Sequence, residues 1–319
     1  MIPPVLALLG GRLAVREQHT LETTIAHRTG VTFEWAALTD RGKLRKLNED
    51  NYLDRPGVFV VADGMGGHAA GDVASGLVVR RFEEFVEHVP ITVSSVAPTI
   101  IDLNSQIREE ARRSGQEGMG TTLVAALWVD HGEEDGMVIV NVGDSRCYLV
   151  DDQGFRRLTH DHSVVQELVD AGSITEEEAE RHPDRHIVTR AMGVDEAVFP
   201  DFFRLSRSIR QRLLLCTDGV TGEITDVRLA EIMSADISPA TAVSTVLDEV
   251  LSGSAKDNAT IVVIDVGWVD VPDAGDAEVT GARDQRVDVD VTAERPQRRE
   301  SPTAEPIDRK MPLISEVPR

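Results

Sequence analysis

Cysteine is scarce in this chain of 319 residues, which holds only two, Cys147 and Cys216. Each stands inside an apolar run, so both are predicted to be buried small side chains, and a disulfide framework is excluded. This usage fits a reducing compartment. The sequence also lacks the cluster of cysteine and histidine ligands that would select zinc.

An excess of positive charge is missing as well, because 55 acidic residues outnumber 33 lysines and arginines and leave a formal net charge of −22. Nucleic acids and anionic membranes are themselves polyanions, so this composition argues against both as general partners. The same balance suits a site that collects divalent cations.

No apolar run approaches the roughly 18 to 20 residues of a membrane-spanning helix. The short run at 5–9 lacks the basic start and the small-residue cleavage site of a signal peptide. We therefore expect a cytoplasmic protein with no membrane anchor, in which residues 1–30 form a flexible N-terminal extension.

The rest of the composition, 41% hydrophobic and 28% charged, is typical of a globular protein with a large core. Apolar runs and alternation predict strands near 31–37, 52–53, 58–62, 123–129, 137–142, 147–150, 213–217 and 260–266. Apolar residues at helical spacing predict helices over 69–89, 100–113, 227–233 and 240–251. Periodicity vanishes after Trp268, so residues 269–319 are expected to form a disordered acidic and polar tail.

Residues 160–193 differ in character, because they are rich in histidine and charge and hold only two short helical patterns, at 164–171 and 175–181. Thr175 and Glu178 have the spacing of a capping box. We interpret this segment as an insertion over a site and not as part of the core.

Aspartates recur at the ends of the predicted strands. Asp63, Asp144 and Asp218 each follow an apolar strand and adjoin a glycine, and Asp257 precedes the last strand. One such aspartate is often only a turn residue, but the repeated pattern favours convergence at one edge of a layered structure. Clustered carboxylates repel each other unless a cation lies among them. Oxygen ligands select Mg²⁺ or Mn²⁺ over zinc.

Two such ions a few Å apart can hold a hydroxide and polarise a phosphoryl group for in-line displacement. Arg45 offers the other group that this chemistry needs, because a guanidinium binds phosphate through a pair of charge-assisted hydrogen bonds. Taken alone, Arg45 is equally compatible with a surface arginine.

Motifs spread over 31–266 resemble, in the same order, those of the metal-dependent protein phosphatase family, type 2C, in its bacterial form. They are TDRG at 39–42, RxxNEDN at 45–51, ADGMGGH at 62–68, GMGTT at 118–122, VGDSR at 142–146, CTDG at 216–219 and DNAT at 257–260. The resemblance implies an α+β fold over 31–268, a four-layer α-β-β-α sandwich of two antiparallel sheets flanked by helix pairs. Residues 160–193 would be the flap beside the site.

The resemblance also implies the site residues. The metal ligands would be Glu49, Asp50, Asp63, Gly64, Asp144, Asp218 and Asp257. In that pattern Asp63 bridges two metals and is essential to catalysis, while Asp218 and Asp257 complete the shell of one ion. Arg45 matches the catalytic arginine that binds the substrate phosphate.

The other ligands serve different ions in that pattern. The carbonyl of Gly64 reaches the second metal, on which Glu49 and Asp50 act, often through water. Asp144, with Asp218, matches a third and weaker site of bacterial members. The implied cofactors are thus two Mn²⁺ or Mg²⁺ ions, with a third ion at the weaker site.

Two positions depart from the family pattern. Met65 stands directly after Asp-Gly, where animal members often have a histidine that is proposed as general acid, and the nearby His68 cannot be assigned that role. His186 lies in the flap where relatives more often have a small polar residue, so metal ligation by the flap is in doubt.

The resemblance implies hydrolysis of phosphoserine and phosphothreonine in proteins by a metal-bound hydroxide. The expected partners of this monomer are phosphorylated proteins, among them a bacterial Ser/Thr kinase and its substrates. One alternative is a pseudophosphatase binding module, although such proteins lose metal aspartates and none is missing here. The other is a phosphatase that acts on an anti-sigma antagonist protein, against which Arg45 and the long flap argue.

Overall fold

The computed structural model describes residues 24–28, 31–66, 70–88, 91–129, 136–205 and 210–268. The expectations about the first 23 residues, the tail at 269–319 and His68 therefore lie outside the described residues. Within these ranges, no helix is long and apolar enough to cross a membrane.

The described ranges form twelve strands and seven helices. The strands are β1 (Thr24–Arg28), β2 (Val31–Asp40), β3 (Asp50–Arg55), β4 (Val58–Met65), β5 (Gly120–Thr121), β6 (Leu123–Val129), β7 (Gly136–Val142), β8 (Arg146–Asp151), β9 (Gly154–Arg157), β10 (Asp201–Arg204), β11 (Arg210–Cys216) and β12 (Ala259–Trp268). The helices are α1 (Ala70–His88), α2 (Val93–Ser114), α3 (Val164–Asp170), α4 (Glu176–Glu180), α5 (Asp218–Thr221), α6 (Asp226–Met233) and α7 (Pro239–Ser252).

The strands form two antiparallel sheets. The first sheet has the order β1-β2-β12-β11-β8-β9 and the second has the order β10-β7-β6-β4-β3, with the short β5 beside the end of β4. Successive side chains of a strand point to opposite faces, so each sheet buries apolar residues on both sides.

The side chains of β2 alternate between two apolar layers, one between the sheets and one outside them. Phe33 and Trp35 lie in the apolar layer between the sheets, where they meet Phe59 of β4 and Trp128 of β6. The ring centroids of Phe33 and Trp128 are 5.8 Å apart, in an edge-to-face arrangement. Such aromatic pairs contribute about 0.5 to 1.5 kcal/mol beyond their burial. Leu38, on the other face of β2, belongs to a separate outer layer.

Helices cover both outer faces. Phe82 of α1 and Leu103 of α2 pack on the second sheet, and Leu229 of α6 and Val246 of α7 pack on the first. The result is the four-layer α-β-β-α sandwich, so the predicted fold class is confirmed.

The N-terminal boundary differs from the expectation. Residues 24–28 are not a flexible extension, because β1 pairs with β2 from Thr24 opposite Trp35 to Arg28 opposite Val31. Five residues are too few for a clear apolar period, and this strand exists because the edge of β2 is available to it. Likewise α2 begins at Val93, before the predicted start at 100, since Thr92 and Ser95 form a capping box ahead of Pro98.

The flap also departs from its interpretation. Its two short helices and the capping box of Thr175 and Glu178 are confirmed. Its far end, however, is part of the core, because Met192 is fully buried beneath α1 and α2. Met192 exchanges two backbone hydrogen bonds with Thr121, of 2.8 and 3.0 Å. The segment is thus anchored at its end and not simply laid over the surface.

Candidate metal and phosphate site

Asp50 and Asp63 face each other across neighbouring strands. The antiparallel register pairs them at the start of β3 and the end of β4. The amide of Asp63 donates to the Thr122 hydroxyl at 2.9 Å, and its carbonyl accepts from the Thr122 amide at 2.9 Å. Thr122 therefore fixes the backbone of Asp63 from both sides.

The Asp50 carboxylate joins the two sheets. It is only 5% exposed. One of its oxygens accepts hydrogen bonds from the hydroxyls of Thr217, at 2.9 Å, and Thr260, at 2.7 Å. Thr217 directly follows β11, and Thr260 lies in β12. Its other oxygen, Oδ1, is buried and has no hydrogen-bond partner, and the same is true of Oε1 of Glu49. A buried acceptor without a donor is an environment that a cation would satisfy, and both Glu49 and Asp50 provide one.

Asp218 and Asp257 come together because their strands pair. The amide of Thr217 donates to the Thr260 carbonyl at 3.2 Å, which brings the end of β11 beside the start of β12. Gly219 lies so close to Asn258 that a Cβ at position 219 would stand 1.9 Å from the Asn258 carbonyl oxygen. The glycine after Asp218 is therefore required by packing.

Asn258 holds the loop that carries Arg45. Its side-chain amide donates to the carbonyls of Arg41, at 2.9 Å, and Leu47, at 3.0 Å. Its side-chain oxygen accepts from the Glu49 amide at 2.8 Å. These three bonds position the 41–47 segment and Glu49 against the start of β12.

Arg45 contacts a predicted metal ligand directly. Its Nη2 donates to Oδ2 of Asp257 at 2.6 Å, and both side chains are partly exposed. This hydrogen bond, which Asp257 accepts, raises the pKa of Arg45. The guanidinium thus neutralises one carboxylate of the cluster, a contact that the sequence did not predict.

Asp144 lies beside this group, in the loop between β7 and β8, and is 9% exposed. The hydroxyl of its neighbour Ser145 is 2.8 Å from the hydroxyl of Thr122. Because Thr122 also holds the backbone of Asp63, the loops of Asp144 and Asp63 share one anchor.

The carboxylates affect one another electrostatically. Burial, and then the charge of Asp50, raises the pKa of Asp63 well above its ordinary value. Burial raises the pKa of Asp50 to about 7, and nearby Asp218 and Asp257 add to the rise. Burial, with Asp218 next, raises the pKa of Asp144 to about 8. Five predicted ligands, Asp50, Asp63, Asp144, Asp218 and Asp257, therefore share one region whose excess negative charge favours protons or cations.

The remaining predicted positions also lie here. Gly64 is enclosed, because a Cβ at this position would stand 2.2 Å from the Gly71 carbonyl oxygen and 2.6 Å from that of Glu49. His186 of the flap is exposed, with its Nδ1 3.8 Å from Oδ2 of Asp218. One of the two positions that depart from the family pattern thus lies beside a predicted ligand.

The donor set fits hard divalent cations, since it consists of oxygen atoms and includes the two buried acceptors without partners. As placed, no group of three or more acidic, histidine or cysteine side chains in the described part of the chain is arranged to hold an ion. Ion binding would thus require these side chains to draw closer, and Arg45 to share or release Asp257.

Sequence reasoning missed Glu223, which positions the Asp257 loop. Its carboxylate accepts the Ser254 amide at 2.8 Å and the Ser254 hydroxyl. Hydrogen bonds from the backbone of Ala255 and Lys256 also lower the pKa of Glu223, against its burial. Ala255 has a positive φ of 43°, which turns these amides toward one anion. No spacing between residues in the sequence predicts this contact of Glu223.

The profile of the protein phosphatase 2C family matches residues 46–259, a range that includes every predicted metal ligand and begins one residue after Arg45. The chain belongs to the protein phosphatase 2C family. The resemblance stated from the motifs is thereby confirmed.

Individual relatives agree with this placement. The chain is 36% identical over 239 residues to the serine/threonine phosphatase stp of Listeria innocua, covering 71% of this chain and 93% of the relative. It is 36% identical over 242 residues to the serine/threonine protein phosphatase PstP of Mycobacterium tuberculosis, covering 75% of this chain and 46% of that protein.

Solved structures of serine/threonine phosphatases are similar as well. The crystal structure of the Mycobacterium tuberculosis phosphatase PstP/Ppp has a TM-score of 0.67 at 35% identity and covers 73% of this chain and 98% of that chain. The catalytic domain of PstP in complex with two manganese ions has a TM-score of 0.66 at 33% identity and covers 74% of this chain and 99% of that chain.

The raised pKa of Asp144 predicts how stability depends on pH without metal. A carboxyl group with a raised pKa holds its proton in the folded state after the unfolded chain has lost it, so the free energy of unfolding falls as pH rises from about 4 to 8. Asp144→Asn should flatten this fall by up to about 1.4 kcal/mol per pH unit. Urea denaturation in EDTA measures it. An unchanged slope contradicts the assignment, and Asp152→Asn in an exposed turn is the control.

Glu223→Gln should weaken Mn²⁺ binding, because an amide cannot accept all of the backbone hydrogen bonds that hold the Asp257 loop. Loss of such supporting contacts typically costs 10- to 100-fold in metal affinity. Calorimetric titration measures the change, and Glu231→Gln, in an exposed ion pair with Arg228, is the matched control. A wild-type Mn²⁺ affinity in Glu223→Gln would show that the Asp257 loop keeps its conformation without the Glu223 carboxylate.

Proposed function

We propose that the carboxylate cluster of this phosphatase 2C chain holds the divalent ions that serve phosphoester hydrolysis. The chain is a metal-dependent protein-serine/threonine phosphatase, as its family membership and its relatives establish. The observation that supports the site assignment is the grouping of Asp50, Asp63, Asp218 and Asp257 with Arg45 at one end of the sandwich.

Each residue type has a defined task in this proposal. Bound Mn²⁺ or Mg²⁺ would supply a water-derived nucleophile and neutralise phosphoryl charge. Asp63 lies centrally and would be shared between two ions, with Asp218 and Asp257 on one of them. Gly64, Glu49 and Asp50 would serve the other, and the partnerless oxygens of these two acids support that role.

Arg45 would bind the phosphate of the substrate. It is about half exposed, and its guanidinium already contacts Asp257 at the edge of the cluster. A planar group of five donors can bind a phosphate dianion through two parallel hydrogen bonds. Arg45 would thus exchange an intramolecular carboxylate for the substrate when ions and phosphoprotein are present.

Several finer points belong to the same proposal. A third, weaker ion would lie between Asp144 and Asp218, and the rise of the Asp144 pKa through burial and then the charge of Asp218 supports this position. The substrates would be a Ser/Thr kinase and its targets, and the protein would act as a cytoplasmic monomer. Both cysteines are free and buried, as a reducing compartment would favour.

The alternatives are weaker. A pseudophosphatase would lack one or more of the metal carboxylates, and all of them are present here. A phosphatase of anti-sigma antagonist proteins is not favoured, since the similar relatives described above are named serine/threonine phosphatases.

Activity should require both metal and Asp63. The purified chain should hydrolyse an aryl phosphate with Mn²⁺ and lose that activity in EDTA. Asp63→Asn should lower kcat by several orders of magnitude while the fold, measured by circular dichroism, survives, because a shared carboxylate serves both ions. A fall in kcat of less than about tenfold, roughly 1.4 kcal/mol, would contradict the bridging role, and full activity in EDTA would contradict the metal mechanism.

Arg45→Ala separates phosphate binding from metal binding. It should lower kcat/KM by about ten- to a few hundred-fold, mainly through KM, because charge-assisted hydrogen bonds contribute roughly 1.5 to 3 kcal/mol. Lysine should restore only part of the loss, since it lacks the planar fork. Calorimetric Mn²⁺ affinity should be kept, or rise, because Asp257 loses a competing cation. A large loss of Mn²⁺ binding with unchanged KM would mean that Arg45 only organises carboxylates.

A further inference from the structure

The segment at 41–47, called here the basic loop, has a composition unlike the rest of the chain. Its sequence is RGKLRKL, with four basic residues and no acidic one in a chain of formal net charge −22. Every residue of the loop except Gly42 is exposed. The loop therefore presents positive charge to solvent beside the carboxylate cluster.

Two leucines of the basic loop are exposed to solvent. Leu44 is 68% exposed and Leu47 is 52% exposed, and they lie on either side of Arg45 and Lys46. Single exposed leucines are ordinary, but two of them interleaved with basic residues, one of which contacts Asp257, form a mixed apolar and cationic surface. Lys46 makes no ion pair with any of the described side chains.

The basic loop is held in place and does not depend on a ligand for its shape. Asn258 bonds the carbonyls at both of its ends, Arg41 and Leu47. The amide of Lys43 donates to the Ala255 carbonyl at 2.7 Å. The side chain of Lys43 donates to the Gly253 carbonyl at 2.8 Å. A pre-organised surface loses little conformational freedom when a partner docks.

We propose that the basic loop is the docking surface for the substrate polypeptide and selects phosphorylated serine or threonine flanked by acidic and large apolar residues. This inference rests on the proposed function, in which Arg45 binds the phosphate. Lys46 follows Arg45 directly, and an extended peptide advances about 3.3 Å per residue. Residues within about three positions of the phosphorylated one would therefore meet Lys46, Leu44 and Leu47.

Charge complementarity favours an acidic polypeptide as the partner of the basic loop. Acidic flanks are attracted by the loop, whereas basic flanks would be drawn to the many acidic residues elsewhere on the protein. The leucines need an apolar contact that a free phosphate or a nucleic-acid backbone does not offer. A polypeptide with both features satisfies the whole surface.

The test compares two phosphopeptides of equal length, one with glutamate and leucine flanking phosphothreonine and one with lysine and alanine. The full chain with Mn²⁺ should prefer the first by about tenfold or more in kcat/KM, and the preference should shrink as salt rises. Lys46→Glu should bring the ratio of the two values close to one. Replacing both Leu44 and Leu47 by serine should lower kcat/KM for the first peptide by about tenfold.

Matched controls use residues with similar exposure elsewhere. Arg112→Glu, on α2, introduces the same charge change as Lys46→Glu at a 63% exposed side chain. Val227→Ser, on α6, removes an apolar group that is 73% exposed. Both controls should keep the wild-type ratio. A control that changes the ratio as much as the loop variants would show a non-specific charge effect and overturn the proposal.

The outcomes separate this inference from the proposed function. Mn²⁺-dependent hydrolysis of both peptides at equal rates would overturn the docking surface and leave the phosphatase site intact. If no phosphoester is hydrolysed, the site assignment fails.

Docking is then decided separately, by fluorescence anisotropy of the same two peptides on the Asp63→Asn variant. Tighter binding of the acidic peptide that is lost when Lys46→Glu is added supports the docking surface, and equal binding of the two peptides contradicts it. A labelled single-stranded DNA that displaces the acidic peptide would point to general polyanion binding and overturn it.

Discussion

The buried carboxylate of Asp50 is the contact on which the site end of the sandwich depends. It belongs to the second sheet, yet it accepts hydrogen bonds from Thr217 and Thr260 of the first. Burying a carboxylate is costly unless hydrogen bonds or a cation compensate for lost hydration. Two hydroxyls supply part of that compensation, and the unpartnered oxygen leaves room for a cation to supply the rest. The same group thus joins the two sheets and offers an oxygen that a metal ion would satisfy.

The other carboxylates of the site lie at strand ends that are linked to Asp50 by pairing and hydrogen bonds. Asp63 is opposite Asp50 in register, and Thr122 and Ser145 carry the connection onward to Asp144. On the other sheet, Gly219 allows the chain after Asp218 to pack against Asn258. A rigid sandwich can hold like charges near each other because the cost is distributed over many packed residues. Charge repulsion is therefore built into the fold, and bound cations would relieve it.

The sequence was sufficient for much of this structure, because long apolar strands and the motifs at their ends are local signals. The strands containing Val58 and Leu213, the long helices and the grouping of the strand-end aspartates were all predictable. The bond between Arg45 and Asp257, and the support from Asn258 and Glu223, were not. These contacts join residues far apart in the chain and leave no periodic pattern. The same reason applies to β1, which is stabilised by pairing with the edge of β2 and has no apolar period of its own.

The most direct test of the account is the number of protons released when Mn²⁺ binds, measured by calorimetry in two buffers with different ionisation enthalpies near pH 7. Carboxyl groups with raised pKa values must lose protons when a cation takes their place. The account predicts saturable Mn²⁺ binding with net proton release, both strongly reduced in Asp63→Asn. Mn²⁺ binding without proton release, or equal binding in Asp63→Asn, would contradict the claim that these buried carboxylates form the metal site.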